Sequence, residues 1–359
     1  MNAKKKHSNA LSEKKGIPQP DRLSKQAADK VKQRRKDVPS TASLIDGILK
    51  GDKTSLSRAI TLIESTNSKH QKEAKKIIQA CLPKASNAIR IGITGVPGVG
   101  KSTFIEQFGK LLVQMNKKVA VLAVDPSSSL SKGSILGDKT RMEELVSEPL
   151  AFIRPSPSRD SLGGVARKTR EAIILCEAAG YNHIIIETVG VGQSETTVHS
   201  MTDFFLLLKL AGAGDELQGI KRGIIEMADA IVINKADGEN VKAAKLAKTA
   251  FNRALHMYPP KESGWVPKTE ICSALNNEGI DDVWKLIEQY VSETSANGYF
   301  QNKRTDQNKF WLMQTIENNL KDAFYNNSAI KKELKKQLEL IANNEISPFE
   351  AAEVLLKLY

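Results

Sequence analysis

The sequence predicts an α/β fold in which a mostly parallel β-sheet is covered by helices on both faces. Between residues 88 and 295, seven short runs rich in β-branched residues alternate with stretches of helical apolar spacing. Parallel neighbouring strands need a long crossover, which is usually a helix, so the alternation indicates a doubly covered parallel sheet. A glycine-rich loop follows the first run, and such loops commonly join a strand to the next helix.

The first forty residues are a basic tail. Residues 1–40 contain twelve lysines and arginines and four acidic residues, so they carry +8 of the formal net charge of +12. This charge would suit an anionic partner such as nucleic acid or a membrane surface. The tail lacks interleaved aromatic residues for base stacking, however, so we expect a solvated, disordered extension and no nucleic-acid partner.

A helical segment is expected over residues 41–87. Apolar residues at helical spacing predict three helices, over Ser43–Leu49, Leu56–Glu64 and His70–Leu82. Thr54 or Ser55 is the expected N-cap of the second helix, because hydroxyl side chains accept hydrogen bonds from the first free backbone N–H groups.

The central segment, residues 88–295, holds the predicted sheet. The strands are expected over Ile91–Thr94, Val119–Val124, Ala151–Arg154, His183–Glu187, Phe204–Leu208, Ala230–Ile233 and Thr269–Ser273. A helix over Asp281–Tyr290 closes this domain.

The last segment, residues 296–359, is polar and helical. We expect two long helices over Asn308–Asn326 and Ile330–Asn343 and a short one over Pro348–Leu358. Because these helices have few apolar residues to form a core of their own, we expect them to form an arm that packs on a second subunit.

The strongest motif follows the first predicted strand and fits the pattern GxxxxGK[ST]. It comprises Gly95, Val96, Pro97, Gly98, Val99, Gly100, Lys101, Ser102 and Thr103. Its glycines let backbone N–H groups surround phosphate oxygens, and the following helix adds positive potential at its N-terminus. In this motif the lysine reaches the β- and γ-phosphates and the serine hydroxyl binds Mg²⁺, so the fold is that of a P-loop NTPase.

Two further loops indicate that the base is guanine. Asn234, Lys235, Ala236 and Asp237 form an NKxD motif at the end of the sixth strand. Its aspartate accepts two hydrogen bonds from guanine, whereas adenine would leave that carboxylate unpaired. The asparagine ties the loop together and the lysine covers the base. A second base-contacting loop is expected at Ser273, Ala274 and Leu275.

Three acidic residues lie where magnesium ligands are expected. Asp125 ends the second strand, Asp138 lies in the loop GSILGDKTR, and Glu187 ends the fourth strand in place of the aspartate of a DxxG motif. Mg²⁺ prefers oxygen ligands and keeps several waters. We expect Ser102 to bind the ion directly and the three acids to act mostly through water.

The group that orients the attacking water is absent from its usual place. Ras-like enzymes place a glutamine directly after the switch glycine, whereas here Val191 follows Gly190. A second loop, 212–222, combines glycines with Asp215, Gln218 and Lys221 and could complete the site. Hydrolysis by the isolated protein should therefore be slow.

Composition limits where the protein works. No apolar run approaches the ~20 residues of a membrane helix, and no secretory signal is visible at the N-terminus. The three cysteines are far apart in apolar settings, which suggests a reducing compartment. We expect a cytoplasmic protein with no membrane contact.

The ordered motifs VDPSS, GSILGDKTRM, ETVGVGQSE, GAGDELQGIKRGI and NKAD resemble the accessory GTPases of methylmalonyl-CoA mutase. These proteins form the MeaB/ArgK-like branch of the SIMIBI class, and the resemblance covers roughly residues 41–359. It implies a homodimeric GTPase, joined by its C-terminal arm, that chaperones an adenosylcobalamin-dependent acyl-CoA mutase. The family couples GTP hydrolysis to cofactor loading and to protection of the mutase.

The resemblance also implies roles for individual residues. The family's magnesium-site carboxylates fall on Asp125, Asp138 and Glu187, and its third switch loop falls on Asp215, Gln218 and Lys221. GTP, GDP and Mg²⁺ are the expected ligands, and Lys101, Glu187 and the switch-loop residues are the expected catalytic groups.

Two alternative functions stay open at this point. A GTPase metallochaperone for nickel enzymes shares the fold class, but it would be expected to carry a His-rich tract or a Cys/His pair near the switch. A kinase linked to basic amino-acid uptake is an older label for this branch, but a kinase would need an acceptor site and usually ATP, whereas the NKAD motif favours guanine.

Overall fold

The computed structural model describes residues 39–85, 88–124, 142–155, 162–188, 194–212 and 222–359. Residues 41–359 form one compact unit. The basic tail, Asp125, Asp138 and the loop that carries Asp215, Gln218 and Lys221 lie outside the described residues.

The described strands form a single seven-stranded sheet in which all neighbours are parallel. The strands are β1 Ile89–Gly95, β2 Val119–Val124, β3 Ala151–Arg154, β4 His183–Thr188, β5 Phe204–Leu210, β6 Ala230–Asn234 and β7 Lys268–Ile271. Their order across the sheet is β3-β2-β4-β1-β5-β6-β7. This confirms the predicted P-loop NTPase class, and it places β1 at the centre, where the chain order reverses.

Helices cover both faces of the sheet and extend beyond its two ends in sequence. The described α-helices are α1 Thr41–Leu49, α2 Lys53–Glu64, α3 Ser68–Cys81, α4 Lys101–Gln114, α5 Glu143–Ser147, α6 Leu162–Ala178, α7 Ser194–His199, α8 Arg222–Met227, α9 Val241–Leu255, α10 Ile280–Ala296, α11 Tyr299–Asn326, α12 Ser328–Ala342 and α13 Pro348–Lys357.

The two faces bury separate cores because side chains alternate along each strand. On β1, Ile91 and Ile93 belong to a core with the aromatic residues Phe104 and Phe108 of α4. On β4, Ile184 and Ile186 face the opposite core, which includes residues of α1, α2, α3 and α6. The N-terminal helices are therefore part of the main body.

The predicted N-cap of α2 is wrong by two or three residues. Asp52 is the N-cap, and its carboxylate accepts hydrogen bonds from the backbone N–H groups of Thr54 at 3.3 Å and Ser55 at 2.7 Å. Thr54 and Ser55 are thus the residues that are capped. Aspartate with its two oxygens satisfies two free donors at once, which one hydroxyl does not.

The first long C-terminal helix begins nine residues before its predicted start. Its first three turns hold Arg304 and Gln307, both buried. Polar residues are predicted to be exposed when their hydrogen-bond partners are unknown. The spacing of apolar residues therefore could not show that the helix begins at Tyr299. The seventh strand also ends earlier than expected, at Ile271, which leaves Cys272 and Ser273 to the loop that follows.

Asp203 forms a hub that fastens this helix to the sheet. Its carboxylate accepts hydrogen bonds from the Arg90 backbone N–H and from the Arg304 guanidinium, and it is 1% exposed. Its backbone oxygen accepts from Tyr290 Oη at 3.0 Å and from Lys303 Nζ at 2.7 Å. The beginning of α11 is therefore joined to the starts of β1 and β5 by charged hydrogen bonds.

No helix among the described residues combines the length and the apolarity that a membrane crossing requires.

Candidate nucleotide-binding site

The loop between β1 and α4 has the backbone of a phosphate cradle. Gly98 and Gly100 have φ values of 81° and 91°, and Gly100 is the N-cap of α4. At Gly95, an added Cβ would lie 2.6 Å from the backbone oxygen of Leu208 in β5, so a larger residue would displace the neighbouring strand. Glycine is the residue that fits such positive φ values and close approaches.

Lys101 is held against this loop. Its ammonium donates to the backbone oxygens of Gly95 at 2.8 Å and Val96 at 3.3 Å. Burial lowers the pKa of Lys101, while the nearby carboxylates of Glu187 and Glu195 act in the opposite direction. The lysine is therefore a buried cation beside the place where phosphates would bind, with its side chain folded back on the loop.

Asn234 joins the phosphate loop to both predicted base loops. It is 1% exposed. Its Nδ2 donates to the Val99 backbone oxygen at 2.9 Å, and its Oδ1 accepts from the Ala274 backbone N–H at 3.1 Å. A Cβ on Gly100 would lie 2.7 Å from Nδ2, so this contact also depends on glycine in the phosphate loop. One amide thus fixes three separate loops in a single arrangement.

The carboxylate of Asp237, the expected guanine acceptor, is oriented by a hydrogen bond to one of its two oxygens. Its Oδ2 accepts a hydrogen bond from Ser273 Oγ at 2.5 Å. Lys235 has φ 58° and is exposed, and Leu275 is 78% exposed on the second loop. A lysine stem and a leucine side chain on two loops beside one fixed carboxylate provide apolar surface and a hydrogen-bond acceptor for a flat base.

Glu187 lies at the carboxyl end of β4, beside Ile93 of β1, and is 9% exposed. Because β4 pairs with β1, the Glu187 carboxylate lies near the phosphate loop, where its negative charge acts to raise the pKa of Lys101. Ser102 is half-buried in the first turn of α4. No cluster of three metal-binding side chains occurs in the described segments, which include neither Asp125 nor Asp138.

The described residues thus bring together the phosphate loop, the NKAD loop, the Ser273–Leu275 loop and Glu187. Sequence reasoning missed Glu195, which is 3% exposed and whose negative charge acts to raise the pKa of Lys101. The available signal was an acidic residue at the end of the ETVGVGQSE motif.

Replacing Asp237 with asparagine should weaken GTP binding by about 1–3 kcal/mol, because guanine loses a charged acceptor. The asparagine oxygen can still accept from Ser273, so the loop should keep its shape. Titration of a fluorescent GTP analogue, competed with GTP and ATP, measures the change. Asp282→Asn is the control, since Asp282 is exposed on α10. Equal affinity of the wild type for ATP and GTP would contradict the assignment of this loop.

Comparison with known proteins agrees with this site. A family model described as methylmalonyl Co-A mutase-associated GTPase MeaB matches residues 56–329. A Caulobacter vibrioides protein named as a putative GTPase is 49% identical over 314 residues, covering 88% of this chain and 96% of its own. The GTPase ArgK of Escherichia coli is 45% identical over 307 residues, which are 86% of this chain and 93% of ArgK.

A mouse relative, the methylmalonic aciduria type A homolog, mitochondrial, is 43% identical over 326 residues, covering 88% of this chain and 79% of its own. Among solved structures, one described as a LAO/AO transport system kinase is 38% identical with a TM-score of 0.71. That match covers 89% of this chain and 97% of the solved one.

The family model spans most of the compact unit, and close relatives named as GTPases align over nearly their whole length. The chain is therefore a GTPase and belongs to the methylmalonyl-CoA mutase-associated GTPase (MeaB) family.

Proposed function

We propose that this GTPase is a chaperone of an adenosylcobalamin-dependent acyl-CoA mutase of the methylmalonyl-CoA mutase type. In this role it couples GTP hydrolysis to loading of the mutase with its cofactor and to protection of the mutase. The observation that carries the proposal is membership of a family described by its association with that mutase. The mouse relative, named for methylmalonic aciduria, supports the same client class.

The geometry supports a nucleotide cycle that begins with binding. Backbone N–H groups of the phosphate loop and the N-terminus of α4 receive the phosphates. Lys101 then exchanges the carbonyl oxygens of Gly95 and Val96 for phosphate oxygens, which are stronger acceptors. Asp237 selects guanine. Because Asn234 bonds to the phosphate loop and to the Ser273–Leu275 loop, these loops are already joined before base and phosphates bind.

The residues present also fit Mg²⁺. Glu187 and Glu195 are two buried carboxylates near the single cation of Lys101, and Glu195 Oε2 has no hydrogen-bond partner among the described residues. Such a surplus of negative charge favours a divalent cation. Ser102 and Glu187 would hold the ion, together with Asp125 and Asp138 from outside the described residues. Mg²⁺ held there would supply positive charge that offsets the negative charge developing on the phosphates during hydrolysis.

A homodimer joined by the C-terminal arm is part of the proposal. On α11, the exposed fractions are 61% for Leu312, 56% for Met313, 44% for Ile316 and 54% for Leu320. Their spacing places them along one stripe of the helix. Such a continuous apolar stripe is typical of a protein–protein contact rather than of a solvated helix.

Replacing Ile316 with aspartate should convert the dimer to a monomer, because the change places a charge in the middle of the stripe. Light scattering behind a sizing column should give twice the 39.4 kDa chain mass for the wild type and once that mass for the variant. Leu246→Asp is the matched control, since Leu246 is 73% exposed on α9, away from the arm. A monomeric wild type, or a variant that stays dimeric, would contradict this interface.

The kinase alternative has one observation in its favour, the description of the solved relative as a transport system kinase. A kinase would transfer the γ-phosphate to an acceptor, whereas a GTPase releases it as phosphate. Incubation with γ-labelled GTP separates the two, because label on a protein or amino acid would favour the kinase.

The proposed client is tested by adding purified mutases to the GTPase. We expect a methylmalonyl-CoA-type mutase to co-elute with the chain and to accelerate GTP hydrolysis. An adenosylcobalamin-dependent mutase that acts on an amino acid is the control and should do neither. Failure of every acyl-CoA mutase to bind or stimulate would overturn the proposal, while leaving the GTPase assignment intact.

A cytoplasmic location stays part of the proposal. The three cysteines are all free and buried, and burial raises the pKa of the Cys81 thiol to about 11 and of the Cys272 thiol to about 12. Protonated, buried thiols are compatible with a reducing compartment.

A further inference from the structure

Glu195 is a buried acid to which the expected chemistry assigns no role. It lies in the first turn of α7, eight residues after Glu187. Only 3% of the residue is exposed, and its Oε2 has no hydrogen-bond partner in the part of the chain that the structure describes. Buried carboxylates are normally paired or bound to a metal, so an orphaned one indicates a missing partner.

The place of Glu195 relative to the phosphate loop limits what that partner can be. The helix that carries it packs near β1 and β4, the strands that end in the phosphate loop and in Glu187. Its carboxylate is close enough to Lys101 to affect the pKa of the lysine. Lys101 itself donates to the Gly95 and Val96 backbone oxygens, and no hydrogen bond joins it to Oε2 of Glu195 in the described part of the chain.

Charge balance makes a cation the natural partner once nucleotide binds. Two carboxylates and one ammonium already leave the described part of the site with an excess of negative charge. GTP or GDP adds more negative charge and draws Lys101 toward the phosphates. A buried carboxylate beside polyphosphate is repelled unless a positive ion and its water ligands lie between them.

We propose that Glu195 is a positioning residue for the Mg²⁺ ion that accompanies the nucleotide. Its carboxylate accepts hydrogen bonds from water bound to the ion and so acts beyond the direct ligands. The inference rests on the proposed Mg²⁺ site, and it adds to that site a residue from a separate helix. Groups that support a metal's ligands in this way typically contribute about 10–100-fold to metal affinity.

The test measures metal affinity separately from nucleotide affinity and from turnover. Mn²⁺ serves as the probe, because its binding to the protein–GDP complex can be followed by electron paramagnetic resonance. Fluorescent GDP is titrated in parallel in excess Mg²⁺ and in EDTA. The variants are Glu195→Gln, which keeps the shape and removes the charge, and Glu187→Gln, which removes a proposed ligand. Glu288→Gln is the matched control, since Glu288 is exposed on α10.

We expect Glu195→Gln to weaken Mn²⁺ binding by about 10–100-fold and to leave GDP affinity in EDTA unchanged. The melting temperature of the nucleotide-free variant measures any structural role of Glu195 separately. A change confined to stability would not move the Mn²⁺ affinity, so the two readouts separate a structural role from a metal-positioning role.

Each other outcome has a defined meaning. If Glu187→Gln loses Mn²⁺ affinity and Glu195→Gln does not, the inference about Glu195 is wrong and the proposed site stands. If wild-type GDP binding is the same in Mg²⁺ and EDTA, the proposed site itself fails. If Glu195→Gln weakens GDP equally in both conditions, Glu195 serves Lys101 or the nucleotide instead, and the inference is overturned.

Discussion

Replacing Lys101 with alanine should abolish GTP hydrolysis, with a loss of at least about 10²–10³-fold in the single-turnover rate. That range is the typical effect of removing one preorganised group that stabilises transition-state charge. The ammonium is buried at the phosphate loop, where it is bonded to the backbone oxygens of Gly95 and Val96 that phosphate oxygens would replace. No other described lysine belongs to this loop.

The measurement is release of labelled phosphate from GTP by excess enzyme, with circular dichroism as a check on folding. Lys50→Ala is the matched control, because Lys50 is exposed in an ion pair with Asp46 on α1, and such pairs contribute little. Turnover in Lys101→Ala equal to that of the control would show that the GxxxxGKS motif has no catalytic role here.

Replacing Lys221 with alanine should remove most of the stimulation that the mutase gives to GTP hydrolysis. Val191 stands where a Ras-like enzyme has its glutamine, so the isolated protein lacks an evident group to orient water. Supplying such missing stabilisation is worth roughly 10³–10⁵ in rate in other GTPases. Lys221 could provide positive charge to the γ-phosphate, with Gln218 and Asp215 holding the loop when the mutase docks.

These three residues lie outside the described part of the chain, so their role stays a prediction from the sequence. The experiment is single-turnover hydrolysis with and without mutase, for the wild type, for Lys221→Ala and for the exposed control Lys245→Ala. Nucleotide affinity should change much less than the stimulated rate, because the lysine acts mainly in the transition state. If the mutase stimulates Lys221→Ala as strongly as the wild type, this loop does not carry the stimulation to the nucleotide.

The sheet could be predicted closely because each strand has a strong local signal. All seven predicted runs are strands in the structure, and β2 and β3 have the predicted bounds. Fully buried parallel strands read as continuous apolar runs, and the glycine-rich loop marks the junction of β1 and α4. The order of strands was not predictable in this way, since it depends on contacts between distant parts of the chain.

Side-chain partners separated by many residues were the main information that the sequence pattern lacked. Arg304 is bonded to Asp203, about a hundred residues earlier, and Asn234 is bonded to Val99 and Ala274 on either side of it in sequence. The burial of Glu195 is a similar case, because a lone acid in a polar motif normally reads as exposed. Local spacing indicates which face of an element is buried, but it does not identify which distant polar group completes a hydrogen bond.

The Asp203 hub has a consequence for how this gene can be shortened or recombined. A chain ending at residue 295 would lose Lys303, Arg304 and Gln307, and the Asp203 carboxylate would keep only the Arg90 backbone N–H as a described donor. Loss of a buried ionic partner commonly costs about 3–5 kcal/mol, a large share of a domain's stability. We therefore expect evolution to exchange or remove the arm only after Trp311, the residue whose indole N–H donates a hydrogen bond to the Ser200 backbone oxygen.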